Sequence, residues 1–384
     1  MKDFPKKLQD KLDERRTNNA LRLLKSPNNL IDFSSNDYLG FSKKNIIFKN
    51  AHQFLKDHNI TQNGATGSRL LSGNHKLYYE VEQQLCEFHH SPSAVIFNSG
   101  YDANIGFFSS VPQRGDIILY DEYIHASIRD GISMSHAKGY KFKHNDVAAL
   151  EKKCEHERHR NSKETNIYIV TESVFSMDGD TPHLEKIAQV SKQHNAFLVV
   201  DEAHATGVFG KKGVGLIQHL NLEDAIFARI ITFGKALGCH GATILGSDIL
   251  KQYLINFSRS FIYTTALPPH SLATIYTAYQ ELKHSTAIGK LHENIRYFKA
   301  EIVTHKLEHL FIESHSAIQC CIISGNANVK SISKNLQHHG FNVKPILSPT
   351  VPSGQERLRF CLHSYNSKKE ISEVLKLLAT FVTS

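Results

Sequence analysis

The sequence predicts an α/β protein: a mostly parallel central sheet covered by helices on both faces, with a smaller C-terminal α+β domain. Three observations predict it. From about residue 30, short apolar runs alternate with amphipathic stretches; strands buried on both faces read as such runs, and parallel neighbours need a crossover helix. Several runs end directly in polar or glycine-rich sequence, and after about residue 280 the texture changes. At 384 residues the chain is too long for one ordinary core. We read residues 1–45 as an N-terminal arm, 46–280 as a large α/β domain and 281–384 as the α+β domain.

The elements follow in order. Residues 6–24 read as an amphipathic helix with Leu8, Leu12, Leu21 and Leu24 on one loose face. Strands are expected at AVIF (94–97), DIILY (116–120), NIYIV (166–170), FLVV (197–200) and IFARIIT (226–232). Between them HKLYYEVEQQLCEF (75–88) and PHLEKIAQVSKQH (182–194) carry helical periodicity. Beyond a long helical stretch come AIQCCII (317–323), a helix near 328–339, FNVKPI (341–346) and RLRFCLH (357–363). A last helix starts near Ser367, where S-K-K-E resembles a capping box.

Composition narrows the class. Hydrophobic residues make up 41% and charged residues 21%, as in a soluble globular protein. The net charge of +8 suits anionic ligands, but Lys and Arg form no basic block. No zinc-finger spacing or RNP-type motif points to nucleic acid. The six cysteines form no C-x-x-C pair, so a reducing, cytoplasmic setting is expected. The N-terminus is charged without an apolar core, which speaks against a signal peptide, and no run has membrane-spanning length. The 24 histidines are scattered without an H-E-x-x-H set, so no metal is expected.

Four strand ends carry candidate chemistry, and ligands of open α/β sheets bind at the carboxyl ends of strands. T-F-G-K (232–235) places Lys235 after a buried strand. A desolvated lysine amine forms imines with aldehydes, and Thr232 could bond a phosphate. V-V-D-E-A-H (199–204) ends a strand on Asp201, which suits a partner for a protonated ring nitrogen, with His204 close behind. N-S-G-Y (98–101) opens a helix whose backbone N–H groups suit a phosphate. D-E-Y-I-H (121–125) sets His125 where an imidazole could stack on a planar ring. Each segment alone also fits an ordinary turn, cap or surface residue, and for T-F-G-K and N-S-G-Y taken singly that plain reading is the better one. An Asp-ended strand followed 34 residues later by strand-Gly-Lys is far more specific.

Together with LDERRTNNALR (12–22), IDFSSNDYLG (31–40), GATGSRLLSGNH (64–75), HND (144–146), TESVFSMDGD (171–180), IYTTALPP (262–269) and PTVPSGQERLRF (349–360), these segments resemble the α-oxoamine synthases, fold-type-I pyridoxal-phosphate (PLP) enzymes. The resemblance runs through nearly the whole chain. It implies that Lys235 holds the cofactor as a Schiff base and moves protons at the substrate α-carbon. Asp201 would pair with the pyridine nitrogen, His204 bond the ring oxygen, and His125 stack on the ring, with Ser176 beside it. Gly100, Tyr101 and Thr232 would hold the phosphate, and Thr264 or Thr265 would reach the phosphate of the other subunit in a homodimer with shared active sites. Arg359 would grip the amino-acid carboxylate, with Asn36 and Arg22 positioning substrate. The favoured substrates are L-alanine and a pimeloyl thioester of CoA or acyl carrier protein. Glycine with acetyl-CoA, a serine–palmitoyl pair, and aminotransferase or lyase chemistry remain alternatives. Ser173, where the family more often has glycine, and Cys239–His240, where it has smaller residues, depart from the pattern.

Overall fold

The computed structural model describes residues 4–24, 29–162 and 164–383. They group into two compact units: Met1–Ser35 with Met177–Asp180 and Gly289–Ser384, and Asn36–Ser176 with Thr181–Ile288. These boundaries cut the chain at other points than the three-part reading 1–45, 46–280 and 281–384.

The chain enters through a helix, Lys6–Thr17, that buries no residue. It stops short of the helix expected through residue 24. Asn19 takes the left-handed conformation (φ 51) that asparagine tolerates, Ala20 N donates to Arg15 O (2.8 Å) and Asn19 N to Arg16 O (3.0 Å). That is a Schellman cap, and it leaves Leu23 and Leu24 exposed. Strand β1 is Ile31–Asp32.

The larger unit is built on seven strands: β2 (Ser93–Phe97), β3 (Ile117–Asp121), β4 (Lys138–Phe142), β5 (Ile167–Glu172), β6 (Phe197–Asp201), β7 (Ala228–Thr232) and β8 (Ala242–Gly246). Their order is β2-β8-β7-β6-β5-β3-β4. All neighbours are parallel except β8, which runs antiparallel to both β2 and β7. The strands expected from apolar runs are all present. Two strands of this sheet fall outside those expected: the edge strand β4, K-G-Y-K-F, is mostly exposed and carries no apolar run, and β8, A-T-I-L-G, is a short buried run directly behind the glycine-rich Lys235 loop. Alternation along the buried strands splits the core in two. Ile118, Tyr168, Val170, Val199 and Ile230 pack against Ala103, Phe107 and Phe108 of the helix Gly100–Ser110. Ile117, Ile167, Ile169, Leu198 and Val200 pack with Leu184 and Ile187 of the helix Leu184–Gln193 on the opposite face.

One buried ion pair braces this sheet. Arg229, 4% exposed, donates from Nη2 (2.7 Å) and Nε (3.0 Å) to Glu202, which is 0% exposed, and from Nη1 to His89 O (2.9 Å). The other Glu202 oxygen accepts from Leu216 N and Ile217 N. Removing one member of such a pair strands its partner's charge. Arg229→Leu is expected to cost roughly 3–5 kcal/mol in a urea unfolding series; a loss below about 1 kcal/mol would contradict this bracing role.

In the second unit, β9 (Ile318–Ile322), β10 (Phe341–Asn342), β11 (Lys344–Ile346) and β12 (Arg357–Cys361) follow the helix Ala287–Thr304. β1 pairs in parallel with β10, and β11-β12-β9 form an antiparallel sheet. The first pairing ties the residues after the N-terminal helix to this unit. Residues 177–180 are held here too: Arg357 is ion-paired to Asp178, and Ser314 Oγ donates to Gly179 O (2.7 Å). The last helix, Lys368–Thr383, starts with the capping box its sequence announces: Ser367 N donates to Glu370 Oε2 (2.7 Å) and Glu370 N to Ser367 Oγ (3.2 Å). Among the described residues no helix is long and apolar enough to cross a membrane.

Candidate active site

Strand periodicity builds the site. Val170, Val199 and Ile230 face the core under the helix Gly100–Ser110. Two residues on, Glu172, Asp201 and Thr232 end β5, β6 and β7 on the same face. Glu172 and Asp201 are direct register partners. All three line a cavity of about 270 Å³, together with Lys235, His204 and Asn36. Lys235 is carried there by a tight loop: Gly238 N donates to Lys235 O (2.9 Å) and Cys239 N to Phe233 O (2.8 Å), which turns the chain back into β8.

One end of the cavity is shaped for an oxyanion. Gly100 and Tyr101 open the helix Gly100–Ser110, and the N-cap Ser99 accepts from Asp102 N (3.0 Å). The helix therefore offers its first N–H groups and its positive end. A Cβ on Gly100 would lie 2.5 Å from Thr232 Cγ2, so only glycine lets backbone and Thr232 meet. The Thr232 hydroxyl is buried and has no hydrogen-bond partner. An unsatisfied buried hydroxyl costs about 1–3 kcal/mol, a deficit that a bound phosphate would remove. The isosteric Thr232→Val is thus expected to leave the ligand-free protein equally or more stable while weakening PLP about tenfold. PLP titration and thermal unfolding read the two arms; unchanged PLP affinity would contradict the assignment.

The other end is set for an aromatic ring. Asp201 Oδ1 accepts from Ala203 N (2.9 Å) and Oδ2 from Asn104 Nδ2 (3.0 Å). His125 caps the helix Ala126–Met134, its Nδ1 meeting Ser127 N (3.2 Å) and Ser127 Oγ (2.7 Å). Burial, reinforced by the charges of Lys235 and Arg129 against the opposing pull of Asp201, lowers the His125 imidazole below its ordinary value of 6.5. Glu172 Oε1 accepts from His125 N (2.5 Å). Burial, with the Asp201 charge next, pushes the Glu172 carboxyl well above the usual range and favours its protonated form. His204 Nδ1 lies 2.7 Å from the hydroxyl of Tyr38, which also donates to Asn36 Oδ1 (3.2 Å).

The cavity thus gathers eight of the residues singled out in the sequence: Lys235, Asp201, His204, His125, Gly100, Tyr101, Thr232 and Asn36. Ser176, Thr264 and Thr265 do not line it. Asn98 Nδ2 donates to Thr264 Oγ1 (2.9 Å) and Thr265 O (2.7 Å), one residue before the N-cap Ser99. Arg359, on β12, and the exposed Arg22 belong to the other unit. Asn104, Ser127, Glu172 and Tyr38 were not singled out in the sequence. Only their positions hint at them: Asn104 stands one turn beyond Gly100 in an apolar helix, and Glu172 ends a strand as Asp201 does.

Comparison with known proteins agrees with this geometry. The aminotransferase class I and II family model matches residues 28–378. The 8-amino-7-oxononanoate synthase of Emericella nidulans is 39% identical, covering 100% of this chain and 98% of that one. A putative 8-amino-7-oxononanoate synthase of Methanococcus vannielii is 37% identical over 96% of each. Among solved structures, serine palmitoyltransferase of S. paucimobilis with PLP and myriocin bound superposes with a TM-score of 0.89 at 26% identity, covering 100% of this chain and 99% of that one. The 8-amino-7-oxononanoate synthase of Francisella tularensis gives 0.78 at 29% identity, covering 92% and 98%. A full-length match at this identity, over a lysine, aspartate and helix N-terminus gathered at parallel strand ends, shows that the chain belongs to the class I and II aminotransferase family and, within it, to the PLP-dependent α-oxoamine synthases.

Proposed function

We propose that the protein condenses L-alanine with a pimeloyl thioester, carried on CoA or on acyl carrier protein, to give 8-amino-7-oxononanoate, CO2 and the free thiol, a step of biotin biosynthesis. The observation that carries this reading is the 39% identity, end to end, to a protein named for that product. The structural likeness to serine palmitoyltransferase supports a second reading, the same reaction with a serine–palmitoyl pair. Glycine with acetyl-CoA is the shorter alternative.

Bound PLP supplies an aldehyde for the substrate amine and a ring that accepts the electron pair released when a bond at the α-carbon breaks. The residues do the rest. The Lys235 amine holds the cofactor aldehyde, then takes and returns the α-proton. Asp201 would keep the ring nitrogen protonated, because a buried carboxylate paired with that nitrogen would favour the charged form. His204 would bond the ring oxygen and His125 would cover the ring face; Ser176, expected beside the ring, lies outside the cavity lining. Gly100, Tyr101 and Thr232 bind the phosphate. Arg359 holds the amino-acid carboxylate by a two-pronged contact that suits guanidinium, while Asn36 and Arg22 position the substrates. In a homodimer with shared sites, Thr264 or Thr265 reaches the phosphate bound by the other subunit. A cytoplasmic setting fits the cysteine pattern.

The test is thiol release by the PLP-loaded protein with three pairs: L-alanine and pimeloyl-CoA, glycine and acetyl-CoA, L-serine and palmitoyl-CoA. Release confined to the first pair is expected. Release confined to either of the others overturns the substrate assignment and leaves the family chemistry in place.

A further inference from the structure

Asp201 and His125 are joined through two residues outside the roles assigned above. Asn104 Nδ2 donates to Asp201 Oδ2 (3.0 Å) and to Ser127 Oγ (3.0 Å). Ser127 Oγ lies 2.7 Å from His125 Nδ1. Asn104 is 2% exposed and Ser127 is 0% exposed, so the two middle members of this chain of contacts are shielded from solvent. Proton counting fixes its direction. The Asp201 carboxylate accepts and cannot donate, so it must meet the amide nitrogen of Asn104 rather than its oxygen. That nitrogen has two protons; one goes to Asp201 and the other to Ser127 Oγ. The serine oxygen is then an acceptor on one side, and its single proton is left for His125 Nδ1. Ser127 N donates to the same nitrogen (3.2 Å). Nδ1 therefore meets two donors and must present its lone pair, which places the ring proton on Nε2.

We propose that Asn104 and Ser127 are positioning residues, a proton-ordered chain running from Asp201 to His125 that fixes the His125 ring as its Nε2–H tautomer and keeps it uncharged. Other groups bear on the same ring. Lys235 and Arg129 oppose a positive imidazole, while Asp201 and Asp130 favour one. Glu172 holds the backbone N–H of His125. His125 also sits at the N-terminus of the helix Ala126–Met134, whose positive end disfavours a cation. The hydrogen-bond chain adds what these charges lack, a choice between the two ring nitrogens. Its use rests on the functional reading above: a neutral imidazole can lie against a protonated pyridine ring, whereas an imidazolium there would repel it.

The experiment is nitrogen NMR on the full-length, PLP-loaded protein with 15N-labelled histidine. The His125 signals are those lost in His125→Gln. Nδ1 is expected to resonate as an unprotonated ring nitrogen and Nε2 as a protonated one from pH 8 down to below 6.5. Ser127→Ala removes the hydroxyl proton and should raise the His125 midpoint by about one pH unit, roughly tenfold in proton affinity. Asn104→Leu frees the serine hydroxyl to reverse and should move the midpoint the same way. A protonated Nδ1 in the unaltered protein, or midpoints unmoved in both variants, overturns the proposal. The visible absorption of lysine-bound PLP is read on the same samples. A normal band without the nitrogen pattern sinks the chain alone, whereas the pattern without a band sinks the cofactor assignment.

Discussion

Lys235→Ala is expected to abolish the visible absorption band of lysine-linked PLP and to lower turnover by at least about a thousandfold. Both effects follow from one side chain. Lys235 brings the amine into the cavity where Asp201 and the Thr232 corner are found, and the same amine is the one proposed to carry the proton at the substrate α-carbon. Alanine keeps the loop intact, because Gly238 N bonds the backbone oxygen of residue 235 and Cys239 N that of Phe233. Thermal stability without PLP should therefore change little. Absorbance on adding PLP and single-turnover rates with L-alanine check the two arms. A retained lysine-type band would remove Lys235 from its assigned role.

Asp201→Asn is expected to lower turnover by about a hundred- to a thousandfold while PLP still binds, as for other losses of one buried electrostatic partner. The substitution keeps volume and the Oδ1 acceptor that Ala203 N uses (2.9 Å), but removes the charge proposed to hold a ring nitrogen protonated. It also disturbs the second carboxylate contact, since the asparagine at position 104 already presents its amide nitrogen there. The readouts are turnover against PLP affinity. Equal losses in both would mean that Asp201 only anchors the cofactor.

Much of this fold is legible because its strands are buried on both faces. Apolar runs such as N-I-Y-I-V and F-L-V-V have no polar alternative, and β5 and β6 lie where they are written. The exceptions have physical causes. β4 is an exposed edge and carries no apolar run, and β8 is a short apolar run that merges with the glycine-rich loop before it. The first helix has apolar residues beyond Thr17, but two asparagines terminate it regardless. The site divides in the same way. Asp201, Lys235 and the Gly100 corner follow strands that the sequence marks plainly. Asn104 and Ser127 act through contacts between segments 23 residues apart, and Glu172 through its register with Asp201. Such pairings exist only once the sheet has formed.

The central claim is that this protein joins an amino acid to an acyl thioester and expels the amino acid's carboxyl group. Incubation of the PLP-loaded protein with pimeloyl-CoA and L-alanine labelled with 13C in its carboxyl tests it directly. The account predicts labelled CO2 in equal amount to free CoA, and an unlabelled amino ketone as product. Label retained in pyruvate, or CoA released without labelled CO2, would contradict it.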